Sequence, residues 1–534
     1  MSISSKSFIS SVRGSLTKKS KFALFLFIFS FCLYANSLFN GFVFDDPGII
    51  DRHPAAQGVT DSYKAFLMPY WPESAGIAIY RPIPLISFAL DRSVFGAHPA
   101  GYHLTNVLLN AVVCVLVFLL AFEFLTLRES MFASLLFASL PIHSETVAYV
   151  FGRPEILASL FFIISWLCHR REKPVCAALA YLLAVFSKEF SILLFPIFLI
   201  DDWLCGREIL KRYGKYIGFV AAIAGFFVIR HFAVGHFNME TSWQYFARVE
   251  KSVVILTMAK FFFMYYFRPM ISGIGLCADF TPPALPLSTL TDVSSWLSLI
   301  CLAVMVAASI YYLFRKKAFW AFWTLFFFLP LVPASNFIIP ATTFGAQRYL
   351  YLSSLGFVMI AISLISKVYL FYPLPTEKQP IEVVSGAGAR RAKWMRVLYY
   401  LSKSKAFVTA FLIAVLCVFS IRTIIRNMDF KNNEALFKSV IKELPKNSLA
   451  HNMLGIAYAN RGELNSALDE FEKSVEIKPE SADLWHNLAV TYFHLKQFNK
   501  AADAYRRILA ISPNDRRAQV NLKSLESIAT KPQR

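Results

Sequence analysis

Two adjacent carboxylates, Asp45 and Asp46, stand where a long apolar stretch gives out, in the run Phe42-Val43-Phe44-Asp45-Asp46-Pro47. Side-by-side carboxylates at a membrane surface repel each other and are costly to desolvate, so the pair needs a partner, a metal or a reaction. As a plain turn or helix-end signal it would need no chemistry at all. Further charges recur in short segments between apolar runs: Arg81, His143 with Glu145, Arg153 with Glu155, Lys188 with Glu189, and Arg348. A single interfacial Arg would merely snorkel. Several cations gathered on one face, with a His and two acids, suit a lipid phosphate together with a general base.

Those segments share a face only if the intervening elements put them there. The chain has 534 residues, 56% of them hydrophobic and only 16% charged, with 53 Phe. One soluble core could not hide so much apolar surface, so a bilayer must take most of it. Apolar runs lie near 21–40, 104–125, 130–148, 154–169, 174–188, 190–205, 216–234, 252–268, 293–314, 318–339, 349–371 and 405–425. Basic clusters separate alternate runs: Lys6 to Lys21, Arg170 to Lys173, Arg207 to Lys215, Arg315 to Lys317, and Arg390, Arg391, Lys393, Arg396, Lys403 and Lys405. The positive-inside rule sends these to the cytoplasm, so the net charge of +20 is a topology signal rather than a nucleic-acid footprint.

Parity then constrains the count. If every run crosses, the basic clusters at 315–317 and 390–405 fall on opposite sides from the rest. If 252–268, interrupted by Lys260, lies re-entrant or along the surface, about 11 spans remain and every cluster is cytoplasmic. The loops at 41–103 (with Asp51, Asp61, Glu73, Asp91 and Arg92), 141–155, 187–189 and 344–348 then share the outer face, and the C-terminal region lies outside. The first run lacks an Ala-x-Ala-like cleavage site and reads as a retained helix. The eight cysteines show no CxxC spacing, so neither a zinc site nor a disulfide framework is indicated, and no metal or cofactor is expected.

After about residue 426 the charges become frequent and balanced. Pro445, Pro479 and Pro513 are spaced 34 apart, and the residues between keep step: Leu454-Gly455 and Tyr458 match Leu488-Ala489 and Tyr492, Ala467 matches Ala501, and Phe471 matches Tyr505. This is the tetratricopeptide period, with small residues where two helices cross and Pro ending the second. Asn432 to Leu444 reads as the second helix of an earlier incomplete unit, and Asn514 to Ile528 as a capping helix. Such arrays offer a concave groove to an extended peptide, for which Asn452, Trp485, His486 and Asn487 are the candidates; they also serve as structural caps. The organisation expected is an all-α chain: a polytopic helix bundle over 1–426 and a tetratricopeptide solenoid of about two full repeats over 427–534.

The ordered motifs carry a resemblance. Phe42-Val43-Phe44-Asp45-Asp46 is followed by Tyr80-Arg81-Pro82-Ile83-Pro84, His98-Pro99-x-Gly101-Tyr102-His103-Leu104-x-Asn106, and Pro141-x-His143-x-Glu145. Then come Gly152-Arg153-Pro154-Glu155, Lys188-Glu189, Gln347-Arg348-Tyr349-Leu350-Tyr351-Leu352 and the repeats. The series resembles the transmembrane and tetratricopeptide repeat-containing O-mannosyltransferases, within the GT-C glycosyltransferases that use polyprenyl-phosphate sugars. Two features depart from that family: Glu155 where Asp is expected, and about two repeats where the animal proteins carry longer arrays.

The resemblance implies inverting transfer of one sugar, most simply mannose, from a polyprenyl phosphate to a Ser or Thr hydroxyl of an acceptor protein. Asp45 or Asp46 would take the hydroxyl proton. Arg153, Lys188 and Arg348 would stabilise the phosphate, with His143 and Glu145 beside them shaping the sugar pocket or orienting an Arg. Arg81 would join them or make an ion pair with Asp91. The setting would be a bacterial inner membrane with a periplasmic tail, or an endoplasmic reticulum membrane with a lumenal one. A membrane scaffold whose repeats recruit envelope proteins, and a lipid-linked glycan transporter or ligase, are the competing functions; a scaffold tolerates Asn at both 45 and 46.

Overall fold

Proline and the length of each apolar run decide where the helices start and stop. The computed structural model describes residues 5–71, 79–235, 246, 249–281, 284–337, 344–370 and 405–529. Glu73 and the basic residues Arg390, Arg391, Lys393, Arg396 and Lys403 lie outside the described residues. Among the described residues every regular element is helical, which bears out the all-α class. Among the described residues eight segments are long and apolar enough to cross a membrane: Thr17–Phe39, Pro99–Phe122, Val150–Arg170, Gly214–Val234, Lys251–Ser272, Val293–Lys316, Gln347–Ser366 and Phe407–Phe430. Pro174–Ser187 and Phe319–Ala334 are shorter apolar helices.

Several runs therefore differ from their sequence reading. The run at 130–148 is a helix only over Leu127–Ser139, opened by a capping box in which Thr126 accepts from the Glu129 amide and Glu129 from the Thr126 amide. Pro141 then forces a 3-10 turn, Pro141–His143, and one α-turn, Ser144–Val147. The run at 190–205 divides into a 3-10 segment, Glu189–Leu194, and the ten-residue helix Phe195–Leu204. Such short pieces are tolerable at membrane depth because protein surrounds them and satisfies their ends.

The stretch expected to be re-entrant, 252–268, forms the Lys251–Ser272 segment, with a π-helical turn over Phe262–Phe267. It packs along the Val293–Lys316 helix, and Phe262 meets Phe327 and Phe328. Loop residues add to these: Thr257 Oγ1 accepts from Ser288, Lys260 pairs with Asp292 at 2.8 Å, and Phe261 meets Phe280 and Phe344.

At the end of the bundle away from those loops, a buried polar knot closes the helices. Asp202 takes His169, Tyr216 and Arg207, while Asp201 takes Trp166 and Arg170. All these acids are paired, as buried charges must be.

The C-terminal helices Asn433–Glu443, Ser448–Ala459, Leu464–Ile477, Ala482–His494, Phe498–Ile511 and Arg516–Ala529 follow the period read from the prolines. Gly455 is required by space: a Cβ there would come within 2.7 Å of the Phe471 ring. The hydrophobic core of the bundle continues through Leu436, Phe437 and Val440 as far as Ala450 and Leu454, and a second core begins at Ala467. The incomplete unit and the first helix of the first full repeat are thus packed as part of the membrane body.

Candidate active site

The chain reaches Asp45 through a backbone that only tertiary contacts can hold. After the 3-10 turn Ala35–Phe39, Gly41 N donates to Lys431 O at 2.9 Å and Phe44 N donates to Asn433 Oδ1 at 2.8 Å. Phe44 has φ +47°, a left-handed conformation that costs a non-glycine residue about 1–3 kcal/mol and clusters at functional sites. Its ring stands edge-on to Phe437 at 5.5 Å. The turn separates the two carboxylates. Asp46 points inward and is almost fully buried; Oδ2 accepts from Val43 N at 3.0 Å and Oδ1 from Phe151 N at 2.8 Å. Asp45 remains partly exposed, with its amide on Tyr149 Oη at 3.2 Å and the Tyr149 hydroxyl hydrogen-bonded to its carboxylate.

Burial pushes the Asp45 carboxyl up to about 6, against the pull of the Arg348 charge and the Tyr149 hydrogen bond. Burial also raises Asp46, with the Val43 and Phe151 amides opposing. The Asp45 charge adds to the rise at Asp46, and the Asp279 charge adds to that at Asp45.

A line of alternating charges runs past this pair. Arg348, on the 3-10 turn Gln347–Tyr349, donates from Nη1 to Glu145 Oε1 at 2.8 Å and from its amide to Glu145 Oε2 at 3.2 Å. Its Nε lies 3.5 Å from Glu155 Oε1, the oxygen that also takes Lys188. Arg348 is the more open of these cations, its side chain 17% exposed. Burial raises Glu145 to about 7 and lowers Lys188 to about 8, each offset by the partner charges. Beside them Arg81 makes a two-pronged pair with Glu189, Nε to Oε2 at 2.8 Å and Nη2 to Oε1 at 2.5 Å. Glu189 falls to about 2, because Arg81 outweighs burial. The structure thus brings Asp45, Asp46, Glu145, Lys188, Arg348 and Arg81 to one end of the bundle.

Two expected members are placed differently. Arg153 is fully buried and engaged at every nitrogen: Nε on Asn106, Nη2 on Tyr102 O, Nη1 on Asp91 at 2.5 Å and on Ser87, with the guanidinium 4.5 Å above the Phe88 ring. It braces the fold beneath the site and presents nothing to a phosphate. Asp91, expected opposite Arg81, is therefore Arg153's partner. His143 is buried between Phe137 and Tyr351 with Nε2 on Ser354 Oγ at 2.8 Å, and burial lowers it to about 3, so it is packed beneath Glu145 rather than beside a sugar pocket.

In the array, Asn487 donates to Asn452 Oδ1 at 2.8 Å, linking the first helices of successive units, and Trp485 Nε1 donates to Pro479 O. His486, Asn487 and Val490 face Arg516, Val520 and Asn521 across a groove of about 560 Å³.

Sequence reasoning assigned no role to three residues, though it quoted Glu155 and Asn106 in their motifs. Glu155 is the hub of the charge line, Tyr149 holds Asp45, and Asn106 orients Arg153. Asn106 lies within a quoted motif and was within reach; Tyr149 carried no signal, because its role depends on a turn made elsewhere. Among the described residues no group of three or more His, Cys, Asp or Glu gathers to hold a metal.

Comparison with known proteins matches this frame. Residues 449–481 and 482–515 each match the tetratricopeptide repeat family. Over 90% of the chain, the sequence is 26% identical to "Protein O-mannosyl-transferase TMTC3" of Homo sapiens, of which 54% is covered. Most of the chain is thus similar to proteins named protein O-mannosyl-transferases. The likeness extends to "Protein O-mannosyl-transferase F38B6.6" of Caenorhabditis elegans, 24% identical over 85% of the chain and 62% of the relative. For "Protein O-mannosyl-transferase TMTC2" of Homo sapiens identity reaches 37%, over 26% of the chain and 17% of the relative. The resemblance carried by the motif order is thereby borne out. The chain spans about half the length of the human TMTC3 protein O-mannosyl-transferase.

Proposed function

We propose that this multi-pass membrane protein transfers a sugar, most simply mannose, from a polyprenyl phosphate to Ser or Thr hydroxyls of acceptor proteins on the face where the repeats lie. The observation that carries the reading is the contrast within the acidic pair. Asp46 spends both oxygens on backbone amides, whereas the half-buried Asp45 has its carboxylate on the Tyr149 hydroxyl, with a pKa raised by burial and pulled back by the Arg348 charge. A hydroxyl is a poor nucleophile at neutral pH, and a base with a pKa somewhat below the working pH is well matched to remove its proton as it attacks.

Asp45 is the base and Asp46 the residue that positions it. The hydroxyl oxygen forms a bond to the anomeric carbon as the bond to the phosphate oxygen breaks from the opposite side. The proton passes to Asp45, and the phosphodiester leaves as a phosphomonoester with an added negative charge. Arg348 meets that charge, and Lys188 supports it through the shared Glu155, so a phosphate arriving here exchanges one anionic partner for another. The groove along His486 and Asn487, the latter held by Asn452, guides the acceptor segment.

The test is transfer of radiolabelled mannose from polyprenyl-phosphate mannose to envelope or lumenal proteins by the purified chain. Label entering protein with the wild type and lost in Asp45→Asn, with unchanged thermal unfolding, supports the assignment. Full transfer by Asp45→Asn overturns the base. Absence of transfer from mannose and other lipid-linked sugars alike overturns the enzyme and leaves a scaffold.

A further inference from the structure

A second cationic recess lies at the same end of the bundle, between the last long apolar helix, Lys405–Asn427, and the Asn433–Glu443 helix. It encloses about 350 Å³ and is lined by four cations, Arg422, Arg426, Lys438 and Lys442, with Asp429 and Glu443 as its acids. The acids do not neutralise it. Asp429 takes Arg426 Nη1 at 2.6 Å, and Lys438 turns to Glu434 at 2.6 Å. Among the described residues Lys442 and Glu443 make no ion pair. Arg422 gives Nε and Nη2 to the Gly273 carbonyl, at 3.3 and 3.1 Å, which leaves Nη1.

Arg426 supplies a second, independent sign. Its side chain is only 6% exposed, and Nη2 is shut from water with no hydrogen-bond partner. A guanidinium nitrogen in that state is destabilising until an acceptor reaches it.

The surroundings say what kind of acceptor. Below the recess the same helix turns an uncovered apolar stripe outward, Val418, Ile421 and Ile425, at helical spacing, and Ile425 itself lines the recess. A cationic cup at the end of a membrane-facing apolar stripe matches a molecule with an anionic head and a hydrocarbon tail. We propose that this recess holds the phosphate of a membrane lipid, its oxygens on Arg426, Arg422 and Lys442 and its chain along Val418, Ile421 and Ile425. Guanidinium groups suit phosphate because their planar forks offer parallel donors. The recess lies next to the line of Arg348, Lys188 and Glu155, close enough for the Arg426 charge to act on Glu145. Its lining shares no residue with that line, and the proposal does not depend on the transferase reading. Its lipid would lie against the seam where the membrane body meets the repeats.

The experiment is native mass spectrometry of the detergent-purified full chain, offered equal concentrations of phosphatidylglycerol, polyprenyl phosphate and phosphatidylcholine. The wild type is expected to retain one anionic lipid in preference to phosphatidylcholine. The double variant Arg422→Gln with Lys442→Gln is expected to lose that retention roughly tenfold or more while melting at the same temperature. Arg426→Gln should do the same, but its pairing with Asp429 makes the double variant the safer reporter. Preference for polyprenyl phosphate identifies the donor's own class of head group, and preference for phosphatidylglycerol a bulk lipid. The double variant separates either from binding at Arg348, which it leaves intact. Equal retention of phosphatidylcholine, unchanged retention by the double variant, or displacement by an equal concentration of glycerol 3-phosphate overturns the proposal.

Discussion

The two carboxylates that adjoin in sequence are divided by one turn, and mutation should divide them functionally. Asp45→Asn is expected to lower transfer by a factor on the order of 10² to 10⁴ with little change in thermal unfolding. Asp46→Asn turns an amide nitrogen toward a backbone N–H and should cost about 1–3 kcal/mol, read as a lower unfolding temperature. The pH profile carries the sign. Asp45 works as a base only when ionised, so with its pKa raised to about 6, kcat should rise through that pH and level off above it. A profile flat between pH 5 and 8 would exclude Asp45 as the base. Arg153 makes the opposite case to Arg348, although the residue type is the same. Arg153→Met strands the buried Asp91 carboxylate and should cost about 3–5 kcal/mol of stability, visible as loss of folded protein. Nothing in the sequence separates these two arginines: both sit beside Pro or an aromatic residue in a quoted motif, and only burial tells a brace from an open cation. Likewise, which aspartate is held by two backbone amides depends on Phe151, more than a hundred residues away.

At the scale of elements, the segment from Ser144 to Gly152 does the placing. It presents Glu145 to Arg348, Tyr149 to Asp45 and the Phe151 amide to Asp46, and then starts the Arg153–Arg170 helix. Gly152 makes the reversal possible by lack of bulk, since a Cβ there would lie 2.3 Å from Thr146 O and 2.7 Å from Thr146 Cα. Backbone cannot yield as a side chain can. Gly152→Ala should therefore destabilise by about 1–3 kcal/mol or more and reduce transfer together with folding, measured by thermal unfolding alongside the assay. The helices themselves were legible where one period ran long, as in Pro99–Phe122 or the prolines of the array. The runs at 130–148 and 190–205 misled because hydropathy continues through Pro141 and the 3-10 turn at 189–194 without a break. Composition registers where a chain is apolar, and not where it turns inside a protein-lined interior.

For the molecule as a whole, the change of composition near residue 426 is real, yet packing does not stop there. Leu436, Phe437, Ala450 and Leu454 belong to the core of the membrane body, and an independent core begins at Ala467. A chain ending at residue 430 should aggregate or melt early, whereas one ending at 481 should keep the fold of the bundle and lose acceptor selection; size-exclusion elution and unfolding temperature distinguish the two. The repeats were readable because their period is local, and this seam was not, because it is made by residues such as Phe44 and Asn433 that meet only in the folded chain. Fastening one end of a solenoid to the body leaves the other end at liberty. Units stack only on their neighbours, so extra ones inserted beyond Ile511 would lengthen the arm without disturbing a single contact around Asp45. On the proposed function, reach and chemistry could then vary separately: a longer arm would alter which proteins are selected, while the proposed base stays where it is.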